Sequence, residues 1–118
     1  QLPVFIPNYY RGAHQQYPRT AGRSSQLFNT GTAAWAYRSV IEGLCGLRGC
    51  AEGLRVAPQL PSSWQQLSAE REFRGACFHL QVRRTGQARV TLDGAALPDG
   101  IVRDIEPGRA YRLEVELA

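Results

Sequence analysis

The stretch Ala76-Cys77-Phe78-His79-Leu80-Gln81-Val82-Arg83 decides the fold. Apolar and polar side chains alternate through it. A period of two sends Ala76, Phe78, Leu80 and Val82 to one face and Cys77, His79, Gln81 and Arg83 to the other. The same pattern returns in Tyr111-Arg112-Leu113-Glu114-Val115-Glu116-Leu117, and more briefly in Leu54-Arg55-Val56 and in Val90 with Leu92. Strands with one apolar and one polar face predict antiparallel sheet with one side in water. Asp93-Gly94 is a tight-turn pair, because both residues tolerate positive φ. Phe73 falls out of phase with Phe78 across Gly75, which predicts a turn or bulge there. Roughly five or six strands at this spacing predict a small antiparallel sandwich or one layered sheet.

Upstream the period changes. From Thr32 to about Leu47, Ala33, Ala36, Tyr37, Val40, Ile41, Leu44 and Leu47 form one apolar face at helical spacing. Asn29, Thr30 and Thr32 are competent N-caps, and Gly46 and Gly49 stand ready to end the helix. Trp35 lies opposite that face beside the small Ser39, Gly43 and Gly46, so the helix is expected to meet two neighbours. Residues 1–31 carry Pro3, Pro7, Pro18 and several glycines and show no period. So long an irregular stretch is expected to be functional or to pack on another part of a protein. Its Tyr9, Tyr10, Arg11, Gln15, Gln16 and Tyr17 combine flat apolar faces with hydrogen-bonding forks, a mixture suited to sugars. The fold class is therefore α+β, with one main helix before a sheet region. The division falls near Gly53, giving segments 1–52 and 53–118.

The 118 residues are one domain's worth of chain, 43% hydrophobic and 20% charged, which is ordinary globular composition. No run approaches the about 20 apolar residues of a membrane span, and no signal peptide is visible. A cytoplasmic location follows as the expectation. The chain has no Met and opens on the apolar Gln1-Leu2-Pro3-Val4-Phe5-Ile6, which reads as part of a longer protein. The net charge of +4 comes from arginines spread between Arg11 and Arg112 rather than clustered, which argues against nucleic-acid binding. Cys45, Cys50 and Cys77 are odd in number and fit no usual zinc spacing, so they read as thiols without a metal.

Asn29-Thr30-Gly31-Thr32 opens the helix. Helix starts carry unpaired N–H groups and positive partial charge, a Gly lets an oxyanion approach the backbone, and Thr hydroxyls add donors. Thr30 and Gly31 are therefore candidate phosphate-binding residues, with Arg23 as counter-charge. Plain helix capping explains the same residues and stays open. No catalytic set is visible. His79 sits on the wet face of a strand, His14 in a polar loop, and Asp93, Asp99 and Asp104 at turns or strand edges.

Pro7-Asn8-Tyr9-Tyr10, Ala21-Gly22-Arg23-Ser24-Ser25 and Thr30-Gly31-Thr32-Ala33-Ala34-Trp35 then acquire a common meaning. Together with Gly53-Leu54-Arg55-Val56, Leu60-Pro61-Ser62-Ser63-Trp64 and Phe73-Arg74-Gly75-Ala76, they resemble the C-terminal end of the glycoside phosphorylases of glycoside hydrolase family 94. The resemblance runs from Gln1 to about Arg84. It implies that the helix is the last of an (α/α)6 barrel and that the strands are the following β-sandwich. It implies an inverting reaction in which inorganic phosphate attacks a β-linked glucoside, cellobionic acid or cellobiose. The products are α-glucose 1-phosphate and gluconic acid or glucose, and no metal or cofactor takes part. It matches Thr30 and Gly31 to the family's phosphate site and sets Asn8 near a Gln that contacts the donor glucose, although the residue type differs. It implies a homodimeric parent. The family's general acid and phosphate-binding His lie upstream of the matched segment, so this chain alone is expected to be inactive. The alternative is a non-catalytic carbohydrate-binding module.

Overall fold

The structure is a computed structural model and describes Arg19 and residues 30–118. The chain divides into two compact units, Gln1–Arg38 and Ser39–Ala118. The first contains helix α1, Thr30–Arg38. Its Trp35 and Tyr37 are 68% and 61% exposed.

The second unit begins with a π-helical segment, Ser39–Leu44, closed by a hydrogen bond from the Cys45 N–H to the Val40 carbonyl at 2.8 Å. The helical period therefore stops before Leu47, which is fully buried as the first residue of strand β1, Leu47–Gly49. The exit is fixed by backbone contact. Gly46 has φ +66°, and a Cβ on it would lie 2.0 Å from the Ala57 carbonyl carbon. The freed carbonyls of Leu44 and Gly46 accept from Gln59 and Ala57 N–H at 3.0 and 2.9 Å. Tyr37 and Val40, expected on an inward face, are exposed, whereas Ile41 packs against the core that holds Leu47.

Seven further strands follow: β2 Leu54–Val56, β3 Gln66–Phe73, β4 Ala76–Arg84, β5 Arg89–Leu92, β6 Ala95–Ala96, β7 Ile101–Val102 and β8 Ala110–Leu117. They make a three-stranded sheet in the order β1-β2-β7 and a five-stranded sheet in the order β3-β4-β8-β5-β6. The expectation of a purely antiparallel region is corrected here. β4 and β8 run parallel, with Phe78 opposite Tyr111 and Leu80 opposite Leu113. The alternation of one strand is blind to the direction of its neighbour, so the sequence pattern fits either arrangement. The expected turns are present. β3 and β4 meet through Arg74 and Gly75 at φ +50° and +76°, and β5 and β6 through Asp93 and Gly94 at +49° and +84°.

The predicted inward residues build the core. Phe78, Leu80 and Val82 of β4 and Tyr111, Leu113 and Val115 of β8 join Leu47, Leu54, Val56 and Val102 of the smaller sheet in one buried cluster. Each large apolar side chain buried there contributes about 1.5–3 kcal/mol. The sheets are also tied at the edge of β3. The Arg71 Nη1 donates to the Leu47 carbonyl, and Arg74 Nη2 reaches the Cys50 and Ala51 carbonyls at 3.4 and 3.5 Å. Both guanidinium groups lie over the Phe73 ring, 5.6 and 5.3 Å from its centroid.

Candidate functional site

Thr30 and Gly31 are the first two residues of α1. Gly31 is exposed, and a Cβ added to it would meet nothing within 4 Å. The first turn holds no acidic side chain, so no carboxylate of its own neutralises the positive end of the helix dipole. The other two candidates, Asn8 and Arg23, lie outside the described residues, as does Asn29.

In the second unit the polar side chains gather on the outer face of the five-stranded sheet, where strand register sets them in rows. Glu70 of β3 lies opposite His79 of β4, which lies opposite Arg112 of β8. One step along, Ser68, Gln81, Glu114 and Thr91 form the next row. The His79 Nδ1 is 3.0 Å from Glu70 Oε1, and its Nε2 is 3.8 Å from the Cys77 Sγ. Arg112 pairs with Glu114 at 2.7 Å, and its N–H donates to Asp93 Oδ1 at 2.8 Å. These exposed pairs contribute between about 0 and 1 kcal/mol each. They give the face a mixed charge and a shallow groove along Ser68, Glu70, His79, Gln81 and Arg112. The strand positions of this face carry Gln, Ser, Glu, Cys, His, Arg, Ala and Thr, and no aromatic ring on which a sugar could stack.

Elsewhere Arg103 bridges Asp99 and Glu52 at 2.6 and 2.7 Å. The hydrogen bond from Arg103, helped by the Ile101 N–H at 3.1 Å, holds the Asp99 carboxyl below its ordinary range. Burial pushes the Cys45 thiol up. All three cysteines are free thiols. Among the described residues, no group of three or more His, Cys, Asp and Glu side chains is arranged to hold a metal.

Sequence reasoning placed His79 on the wet face, where it is, but missed its partner. Cys77 and His79 share a face by spacing alone, whereas Glu70 joins them only through the register of the β3–β4 hairpin.

The β-rich part of the chain has a recognisable class. Residues 47–98, from β1 to just beyond β6, match the family described as glycosyl hydrolase family 65, C-terminal domain. Along nearly its whole length the chain is similar to glycoside phosphorylases. It is 59% identical to the cellobionic acid phosphorylase of Neurospora crassa over 119 residues, covering 99% of this chain and 15% of that protein. It is 35% identical over 127 residues to the 3-O-beta-D-glucopyranosyl-beta-D-glucuronide phosphorylase of Paenibacillus borealis, covering 99% and 16%. It is 36% identical over 81 residues to the N,N'-diacetylchitobiose phosphorylase of Vibrio proteolyticus, covering 64% and 10%. The chain thus carries a stretch of family 65 C-terminal domain type over residues 47–98, is similar along nearly its whole length to parts of these phosphorylases, and spans about one sixth or less of their length. Among the described residues, no helix is long and apolar enough to cross a membrane.

Proposed function

We propose that this chain is the C-terminal part of an inverting β-glucoside phosphorylase acting on cellobionic acid. The observation that carries this reading is the 59% identity, over 99% of the chain, to a cellobionic acid phosphorylase. Cellobiose is the alternative donor. In this reading inorganic phosphate attacks the anomeric carbon, and α-glucose 1-phosphate leaves with gluconic acid, or with glucose when cellobiose is the substrate. Residues 1–52 end an (α/α)6 barrel and residues 53–118 form the β domain behind it. The parent is a cytoplasmic homodimer.

Within that enzyme, Thr30 and Gly31 hold phosphate at the start of α1. The bare Gly31 and the absence of an acid in the first turn support this role. Asn8 and Arg23 serve the sugar and phosphate from the preceding loop. The general acid lies outside this chain, and a general acid is worth about 10²–10⁴ in rate. The 118-residue chain is therefore inactive by itself. The test is phosphate-dependent release of glucose 1-phosphate, measured for the chain and for the longest protein its gene encodes. Turnover by the longer protein with cellobionic acid, and none by the chain, is the expected result. A longer protein that cleaves neither donor with phosphate would overturn the assignment.

A further inference from the structure

The three thiols of this chain occupy three different chemical settings. Cys45 is 2% exposed and lies in the apolar core. Cys50 is half-buried and donates its S–H to the Gly53 carbonyl at 3.3 Å, a bond that its thiolate cannot make. Cys77 is also half-buried, but it faces a base. Its Sγ is 3.8 Å from His79 Nε2, while His79 Nδ1 is held by Glu70 Oε1 at 3.0 Å. With Nδ1 protonated and donating to Glu70, Nε2 presents its lone pair to the thiol. A nucleophile, a base beside it and an acid orienting that base are the parts of an activated thiol.

We infer that Cys77 is a reactive modification site of this domain, forming mixed disulfides with small-molecule disulfides, with His79 as its proton acceptor and Glu70 as the residue that positions His79. The Cys77 S–H proton passes to His79 Nε2, and the sulfur attacks one sulfur of the reagent. The reagent's S–S bond breaks as the new one forms, and the leaving thiolate takes the proton from the imidazolium. The charges around the pair define which reagent fits. Glu72 lies directly opposite Cys77 on β3, and Ala110, opposite on β8, brings no charge. Arg112 lies opposite His79 but pairs with Glu114, and Arg109 is engaged by Asp93 and Glu106. A carboxylate beside the thiol repels anions, so neutral disulfides are the favoured partners.

The experiment treats the folded protein at neutral pH with dithiodipyridine, a neutral aromatic disulfide whose leaving thiol absorbs light, and maps the modified cysteines by peptide mass spectrometry. Cys77 is expected to react about tenfold or more faster than Cys50, with Cys45 unmodified. His79→Gln should slow Cys77 about tenfold and leave Cys50 unchanged, and Glu70→Gln should slow Cys77 by a smaller factor. An unreactive Cys45 certifies the fold of each variant. If Cys45 becomes reactive in His79→Gln, Glu70→Gln decides. Equal rates at Cys77 and Cys50, or a Cys77 rate indifferent to the deciding variant, would overturn the inference.

Discussion

Phe78 and Tyr111 lie opposite each other on the parallel strands β4 and β8, their rings stacked at 5.0 Å between centroids and 9° between planes. Tyr111 is 3% exposed, and its hydroxyl accepts the Glu106 N–H at 2.9 Å. One side chain thus joins the strand pair to the turn before β8.

Tyr111→Phe keeps the stack and removes the acceptor. The Glu106 N–H loses its partner in a part-buried bond, which costs about 0.5–1.5 kcal/mol. Tyr111→Ala also empties ring volume and should cost about 3–5 kcal/mol. Urea unfolding of the variants checks the order; a Phe variant as stable as the parent would show that water replaces the hydroxyl.

Gly46→Ala should be far more damaging than Gly94→Ala. Both glycines have positive φ, which costs an Ala roughly 1–2 kcal/mol. At Gly94 the new methyl meets open space, whereas at Gly46 it would strike the Ala57–Pro58 backbone at 2.0–2.2 Å. Melting curves should show a modest shift for Gly94→Ala and loss of the cooperative transition for Gly46→Ala.

Asp99 should make the fold acid-sensitive in a defined direction. Its pKa is lowered in the folded protein, first by the Arg103 hydrogen bond. A lowered folded pKa gives stability that is present above the unfolded value, about 3.9. That stability is lost as pH falls through the lower folded value. Asp99→Asn should flatten the acid limb of a plot of unfolding midpoint against pH. An unchanged acid limb would mean that the exposed pair does not survive in solution.

Thr30→Ala, made in the longer parent enzyme, separates phosphate binding from helix capping. Loss of a donor to a charged acceptor is worth about 1.5–3 kcal/mol, so KM for phosphate should rise roughly tenfold to a hundredfold. Capping alone predicts a stability loss of about 1 kcal/mol with phosphate kinetics unchanged. The phosphate KM read beside a melting curve decides between them.

The strands with large alternating side chains were legible because each residue of β4 and β8 declares its face. Asp93-Gly94 was legible because its turn requires two positive φ values. The helix end was not. Leu44 and Leu47 continue the helical spacing, and the contact that stops the helix is a backbone approach between Gly46 and Ala57, which no local pattern records. β1 is three residues long and buries only Leu47, too short for a period. β3 presents Leu67, Ala69, Arg71 and Phe73 inward, and the Arg disguises its apolar face. At the candidate site, Thr30 and Gly31 were readable as a helix start, but nothing local marks Glu70 as the partner of His79.

The position of β8 sets an order on assembly. It follows every other strand in sequence, yet it lies between β4 and β5 in the larger sheet. Until it arrives, the β3–β4 and β5–β6 hairpins have no common neighbour, and Phe78, Leu80 and Val82 lack the side chains that cover them. A ribosome making this chain from its N-terminus therefore displays an uncovered apolar strand until Tyr111–Leu117 has emerged. Collapse of the sheet is then a late event, after synthesis of the segment, and the nascent domain is open to aggregation or chaperone capture in the interval.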